Sequence, residues 1–518
     1  MGTTLTFYDG VDTIGGTKIH LESRGRGILL DFGQNFKNES NFYEEYLKPR
    51  STRGIYDYFT LGLLPPLDIY REDLIPADLA RKELKAVDLD GVLVTHAHMD
   101  HVGYIGLLKR EIPIFSSPMS AAILKSIQDT GVGGVPREIA YMKERERTED
   151  EDRVLKSKSY RKTPSSGRDF YLTSRPSEEL LDFWSDTPSR RGHEAGKLSE
   201  VNENDKPLPF QWFEVSHSIY GATAYCVKTE DGWIVYTGDL RFHGKKGDKT
   251  KKFVKEASKL NAKVLITEGT RTGREETENE TEEDVYQNCL TATESEDNLV
   301  IGDFSPRNLE RLETFLKIAE KTGRKLVATT KDGYALDSLR CVDGVDRASR
   351  VRVYKDLTVW KRRRKWEKQV LEKFEEQTID PQEISKNPGQ YILCFSFWDI
   401  KNLLDIMPEG GSYIYSTSEA YTEEQELDVE RLWEWLQFFN LKAVGFELRK
   451  ENGETKLDFK KGYHCSGHAA PDELLRMIEE IDPEIVVPVH TEDPEFFSEN
   501  LEGRGVEILQ DGDRIELG

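Results

Sequence analysis

Cysteine is scarce in this chain. Five cysteines occur in 518 residues, at 226, 289, 341, 394 and 465, widely separated and odd in number. That spacing excludes a disulfide-stapled scaffold and a zinc module built on close Cys pairs. It fits reduced thiols in a cytoplasmic protein. Long apolar runs are missing too. None approaches the length a bilayer requires, which argues against a membrane-spanning chain. Residues 1–8 lack both the basic start and the apolar core of a secretory signal. Met1-Gly2 with Thr6 meets the loose myristoylation pattern, but Leu5-Thr6-Phe7 reads as a first strand. Positive charge is in deficit, with a formal net charge of −23. A general nucleic-acid coat would be basic, so that class is disfavoured. A nuclease whose cations are confined to one cleft is not, because a metal pair supplies strong local positive charge.

Histidine is also sparse, but it is concentrated. Of ten histidines, three fall within His96-Ala97-His98-Met99-Asp100-His101. This stretch follows Gly91-Val92-Leu93-Val94-Thr95, which reads as a buried strand. A loop leaving a strand can turn His96 and His98 toward one metal and Asp100 and His101 toward a second. Imidazole and carboxylate donors suit zinc, and catalytic zinc sites keep a position open for water. His217 follows the apolar run ending at Val215. Asp239 follows Tyr236-Thr237-Gly238, and His490 follows Val486-Val487-Pro488-Val489. Each sits just past an apparent strand. The count then closes. His96, His98, His217 and Asp239 would hold one zinc, and Asp100, His101, Asp239 and His490 the other. Asp239 bridges, and a shared hydroxide completes both spheres. Two such ions lower the pKa of bound water and clamp the attacking oxygen. Asp31, ending Ile28-Leu29-Leu30, reads better as an acid orienting a ligand than as a ligand.

Regular structure is patterned unevenly. Residues 1–130 alternate apolar runs with loops and helices. Residues from about 135 to 206 are dense in mixed charge, Ser, Pro and Gly, and read as an inserted, partly mobile surface segment. Strands are expected at 210–215, 222–228, 232–236 and 264–267. Between about 270 and 455, strands near Val300, Leu326, Tyr391 and Tyr413 alternate with helices at 309–320 and 423–438. That alternation predicts a parallel α/β domain. A helix at 472–481, a strand at 485–489 and two short strands near Ile508 and Ile515 close the chain.

The ordered motifs Thr95 to His101, His217 and Asp239 resemble those of the metallo-β-lactamase fold. Glu268 in Thr267-Glu268-Gly269-Thr270, His468 in Ser466-Gly467-His468-Ala469, and His490 are similar to the added motifs of its β-CASP branch. That branch includes ribonuclease J and the cleavage and polyadenylation nuclease. The resemblance covers essentially the whole chain apart from 135–206. It implies a four-layer αββα metallo-β-lactamase fold with an inserted parallel α/β β-CASP domain. The parts would be 1–268 (carrying the polar insertion at about 135–206), 269–455, and 456–518. It also implies a zinc-dependent nuclease acting on RNA, with single-stranded DNA a further candidate substrate and Mn2+ a candidate substitute for the two Zn2+. RNA would thread the cleft between the domains. Catalytic roles are implied for Asp100, which helps hold the attacking water, for His468, which contacts the scissile phosphate and protonates the leaving oxygen, and for Glu268, which orients His468 or a ligand.

Substrate contacts are less sharply written. Ser305-Pro306-Arg307-Asn308 and Ser416-Thr417-Ser418-Glu419 follow apparent strands, where loops opening into helices can present N–H groups to phosphate. Similar proteins line their substrate path with such loops, so Ser305, Arg307, Ser416, Ser418 and Ser466 are candidate phosphate contacts. The same segments also read as ordinary turns and caps. The run 361–365, Lys-Arg-Arg-Arg-Lys between Trp360 and Trp366, reads as a basic helix. It is either a single-strand binder or a solvated face. Lys245 to Lys252 forms a second basic loop. Set against ribonuclease J, the closing strands near the end of the sequence lead to the expectation that the C-terminal oligomerisation domain of that family is absent, and both monomer and homodimer stay open. An ester or thioester hydrolase of the same fold and a non-catalytic scaffold are the competing functions. Exonuclease and endonuclease action are not distinguished.

Overall fold

Alternation along the early strands sets up two facing sheets. The computed structural model describes residues 2–518 apart from 45, 80–83, 132, 274–279, 306, 418–422 and 452–453, and apart from the side chains of 423–429, 450, 451 and 454–457. An eight-stranded sheet runs in the order Leu198–Glu200, Phe170–Leu172, Ile114–Ser116, Gly91–Leu93, Arg26–Leu30, Lys18–Ser23, Thr3–Asp9, Arg514–Leu517. A six-stranded sheet runs Phe210–Glu214, Thr223–Lys228, Trp233–Tyr236, Ala262–Glu268, Ile485–Val489, Gly505–Val506.

Successive strand residues face opposite ways. Leu5, Phe7, Ile28, Leu30, Leu93 and Phe115 therefore meet Tyr225, Ile234, Tyr236, Val264, Ile266 and Val487 in one core between the sheets. Leu29, Val92 and Ile114, one residue out of phase, are buried on the other face of the first sheet. The far face of the second sheet packs on two helices, Gly247–Ala257 and Pro471–Ile481, through Phe253, Val254, Leu474 and Ile478. This is the expected metallo-β-lactamase sandwich.

The chain divides into two compact units. One comprises Met1–Phe242, Lys246–Thr277 and His468–Gly518, and the other His243–Lys245 and Glu278–Gly467. The divisions thus fall at 277/278 and 467/468, where the sequence suggested 268/269 and 455/456. In the second unit a seven-stranded parallel sheet has the order Thr378–Ile379, Arg352–Tyr354, Lys325–Thr329, Tyr391–Cys394, Leu299–Asp303, Gly411–Tyr415, Leu441–Val444. Its connections include the helices Leu309–Thr322 and Glu423–Phe438. Among the described residues no helix is long and apolar enough to cross a membrane.

Two expectations need correction. Residues 135–206 are not merely a surface insertion, because Phe170–Leu172 and Leu198–Glu200 extend the main sheet in parallel beyond Ile114–Ser116. The dense charge hid these short strands. Part of that charge is buried. Arg168 is inaccessible, and its guanidinium donates to the carbonyls of Lys109, Ile112 and Leu108. Nor is 361–365 a basic helix. The helix starts only at Lys365, after a 3-10 turn at Trp360–Arg362.

Candidate metal centre

The parallel strands of the first unit deliver their following residues to one rim. Arg26–Leu30 pairs in parallel with Gly91–Leu93, so Asp31 and the histidine-rich turn leave the sheet side by side. Trp233–Tyr236, Ala262–Glu268 and Ile485–Val489 are likewise mutually parallel, which brings Asp239, Glu268 and His490 to adjacent positions. Ligands commonly bind at the carboxyl ends of such strands. Two of these residues turn the chain abruptly, Asp31 at φ +57° and His490 at φ +53°. A left-handed backbone costs a non-glycine residue roughly 1–2 kcal/mol. Pairing offsets it: Asp31 N–H donates to Leu93 O at 3.0 Å, and His490 N–H to Gly10 O at 2.7 Å.

The backbone around Asp100 is equally close. Gly16 N–H donates to Asp100 O at 3.0 Å. A Cβ on Gly33 would lie 1.6 Å from that carbonyl, and one on Gly15 would lie 2.8 Å from Asp100 Cβ. Only glycine permits both approaches.

Seven donor side chains converge. His96, His98 and His217 form one group, and Asp100, His101, Asp239 and His490 a second, the donor atoms of each lying within 4.8 Å of one another. A third overlapping group joins His217, Asp239 and His468. Asp239 lies between the first two, its Oδ2 3.6 Å from His96 Nε2, 3.2 Å from His101 Nε2 and 3.8 Å from both His217 Nε2 and His490 Nε2. His490 Nε2 is 3.1 Å from Asp100 Oδ2.

Hydrogen bonds on the outer side fix which nitrogen faces inward. Asp31 Oδ2 lies 2.8 Å from His101 Nδ1. It also accepts from Thr95 Oγ1 and Tyr236 OH, each at 2.7 Å, while Asp31 Oδ1 accepts from Thr95 N–H. With its proton given to Asp31, Thr95 Oγ1 accepts from His96 Nδ1 at 3.0 Å. Thr270 Oγ1 repeats the device, donating to Glu268 Oε2 at 2.7 Å and accepting from His490 Nδ1 at 3.0 Å. His96, His101 and His490 therefore present Nε2 to the cluster, and an outer acceptor of this kind is what orients metal-binding histidines. His98 presents Nδ1, 3.1 Å from His96 Nε2 and 3.2 Å from His217 Nε2.

Electrostatics fit cation binding. Burial, reinforced by His101, pushes His96 well below the usual imidazole range, and burial takes His98 down to about 4. Both are neutral donors near pH 7. Burial works against charge on His101 and His490, yet Asp239 outweighs it with help from Asp100, and both are raised. Burial likewise opposes ionisation of Asp239, and His101 and His490 overcome it, holding the carboxyl well below its ordinary value. The two carboxylates thus demand positive charge. His101 Nε2 and Asp239 Oδ1 are buried polar atoms with no hydrogen-bond partner; the 3.2 Å approach of His101 to Asp239 lacks hydrogen-bond geometry. Buried atoms left this way, among clustered imidazoles and acids, are what transition-metal donors look like.

Glu268 and His468 sit beside the cluster. Glu268 is buried, with Oε1 accepting from Leu240 N–H at 2.8 Å and Oε2 lying 2.7 Å from His468 Nδ1. The His468 ring centroid is 5.0 Å from that of His217.

The candidate phosphate contacts fare differently. Ser305 is exposed, with half-buried Arg307 Nε 3.4 Å from its Oγ. Ser466 is half-buried, its carbonyl 3.1 Å from His243 Nε2. Ser416 is not offered to a ligand. It is buried, donates to Tyr463 O at 2.6 Å, and receives Arg311 on both its hydroxyl and its carbonyl, because it braces a loop instead. Ser418 lies outside the described residues. The run Lys245 to Lys252 is not a loop throughout, since a helix begins at Gly247, and Lys246 and Lys249 are engaged by Glu214. Sequence reasoning missed Thr95, Thr270 and Tyr236. The two threonines stand next to or near expected site residues, a usable signal, whereas Tyr236 carries none.

Comparison with known proteins agrees with this geometry. Residues 62–156 match the family model of the metallo-beta-lactamase superfamily, and residues 456–509 that of the Zn-dependent metallo-hydrolase RNA specificity domain. The chain is 23% identical to ribonuclease J of Pyrococcus abyssi, over 82% of this chain and 78% of that protein. It is 20% identical to ribonuclease J of Helicobacter pylori strain 26695, over 99% of this chain but 60% of that protein. A crystal structure of a protein of unknown function from Enterococcus faecalis V583 matches with a TM-score of 0.68 over 100% of both chains, at 23% identity, and so shares the fold.

Proposed function

Because this chain belongs to the metallo-β-lactamase superfamily and carries its RNA specificity domain, we propose that it is a metal-dependent ribonuclease holding two zinc ions. The carrying observation is the convergence of His96, His98, His217, Asp100, His101, Asp239 and His490 around orphaned buried donor atoms. The donor set fits the ions. His96, His98, His217 and Asp239 would hold one, and Asp100, His101, Asp239 and His490 the other. When bound, the ions supply a nucleophile from water at neutral pH and neutralise phosphate charge. Manganese is the expected substitute, and single-stranded DNA the expected second substrate.

The chain's own groups do the rest. Asp31, Thr95 and Thr270 hold the imidazoles in the orientation described, which fixes where the phosphate can sit. His468 is the general acid. With Nδ1–H given to Glu268, its Nε2 is left to contact the phosphate and pass a proton to the departing oxygen. The carboxylate of Glu268, fixed by Leu240 N–H and Thr270, steadies the imidazolium beforehand. Asp100 helps position the attacking water. These roles draw support from the geometry and from the likeness to ribonuclease J.

The test is hydrolysis of end-labelled RNA by His468→Ala and Asp100→Asn. Both variants should fold as the parent does, by circular dichroism and melting temperature, and should lose cleavage. Normal cleavage by both would defeat the proposal. Turnover of small esters with no RNA or DNA cleavage would replace it with a small-molecule hydrolase. Protein purified without chelators that bound no transition metal would point to a scaffold.

A further inference from the structure

The basic run of the second unit has a shape its sequence did not suggest. Only one of its five cations turns inward. Arg363 is buried, donating to Asp356 Oδ1 at 2.7 Å and to Asp356 O at 2.5 Å. Asp356 also accepts from Thr358 Oγ1 at 2.7 Å. This clasp folds residues 355–364 into a braced loop at the carboxyl end of the strand Arg352–Tyr354. The bracing turns apolar groups outward. Leu357 is 65%, Val359 63% and Trp360 43% exposed. Lys361, Arg362, Arg364 and Lys365 are exposed beside them. Lys368 Nζ lies 5.8 Å from the Trp360 ring centroid.

This loop presents a concentrated patch of cations on a chain of net charge −23. It is built to meet a polyanion, and an exposed aromatic ring among cations adds a face on which a base can stack. A lipid surface fits less well. Trp366, Val370 and Leu371, the apolar face of the adjoining helix Lys365–Lys373, are buried, so no amphipathic helix is left to lie in a bilayer interface. We propose that this loop is an accessory binding surface for single-stranded RNA, with Trp360 stacking on a base and Lys361 and Arg362 contacting phosphates. The choice of RNA rests on the ribonuclease reading; the cation–aromatic surface itself does not.

The test is fluorescence anisotropy of the metal-loaded protein with a hydrolysis-resistant phosphorothioate oligouridylate of about 16 nucleotides. Trp360→Ala should weaken binding roughly tenfold. The double variant Lys361→Gln/Arg362→Gln should lower the slope of log affinity against log salt by about 1.4, since each lost phosphate contact on a single strand removes about 0.7. Both variants alter exposed side chains, and an unchanged melting temperature confirms the fold. Hydrolysis of bis(p-nitrophenyl) phosphate, which offers no strand, should be unaltered in both. Wild-type affinity in both variants would overturn the proposal. So would loss of binding to phosphatidylglycerol vesicles with RNA binding intact, which would make the loop a lipid contact. If RNA affinity depends on Trp360 but the parent cleaves neither RNA nor the small phosphodiester, the surface stands and the ribonuclease reading falls.

Discussion

Asp239 in the first unit and Asp303 in the second are both buried, yet their neighbours drive the two carboxyls in opposite directions. Both follow or end a buried strand, and burial alone pushes each toward the neutral acid. For Asp239 the neighbours reverse that push. His101 and His490 hold it ionised, and its Oδ1 has no hydrogen-bond partner. For Asp303 they do not. A single phenol, Tyr413 OH at 2.6 Å, favours the anion, nearby Asp399 opposes it, and the carboxyl is pushed up to about 7. Asp332, half-buried in the same unit, is pushed up to about 6 by desolvation and again by Asp399. Burial therefore says little about a carboxylate's work. A buried acid kept ionised by clustered imidazoles is prepared for a cation, whereas one left with a lone hydroxyl donor holds its proton and serves the packing.

The largest effect follows from removing the charge that the histidines sustain. Asp239→Asn keeps the size and hydrogen-bonding shape of the side chain but takes away the one acid proposed to serve both ions. Zinc content should fall below two ions per chain. RNA cleavage should drop by about a thousandfold or more, equivalent to about 4 kcal/mol of transition-state stabilisation. Metal analysis and single-turnover cleavage check both. Full zinc content with full activity would erase the distinction between the two acids.

Much of this centre was legible in the sequence, because its donors lie immediately past strands and strands announce themselves by apolar runs. His96 to His101, His217, Asp239 and His490 all have that placement; parallel pairing carries all but His217 to one rim, and His217 follows a strand paired antiparallel with its neighbour. Asp31 was readable as an orienting acid for the same reason. Thr95, Thr270 and Tyr236 were not, since their value lies in which hydroxyl proton goes to which carboxylate, a matter of tertiary approach. The second unit was legible as alternating strands and helices but not at its loops. Ser416 looks like a phosphate contact until Arg311 and Tyr463 occupy it. Arg363 looks like one more surface cation until Asp356 folds it in. The strands Phe170–Leu172 and Leu198–Glu200 were hidden because each is only three residues long amid dense charge.

A smaller effect probes the orienting acid. Asp31→Asn retains an acceptor for one donor but cannot serve His101 Nδ1, Thr95 and Tyr236 as the carboxylate does. Loss of such an outer partner typically costs about 10- to 100-fold in metal affinity or activity. Zinc competition titration should show weaker binding, with RNA cleavage recovering as free zinc is raised. An unchanged zinc affinity would mean that Asp31 is only a turn residue and that the outer hydrogen bonds do not distinguish the first unit.

The smallest effect tests the other side of the contrast. The carboxyl of Asp303 moves from an ordinary value of 3.8 to about 7 on folding. Below about pH 4 both states hold the proton and nothing is lost. Between there and about pH 7 the unfolded chain releases a proton that the folded chain retains, so the contribution of Asp303 to stability declines as pH rises, and levels off above. Asp303→Asn cannot ionise, and its amide oxygen still accepts from Tyr413. The variant should therefore melt close to the parent at about pH 4 and higher than it at about pH 8, on the scale of about 2–4 °C per kcal/mol for a unit of this size. A gap that narrowed as pH rose would mean that Asp303 is ionised and stabilised in the fold. It would then resemble Asp239, and a cation would have to be sought in the second unit as well.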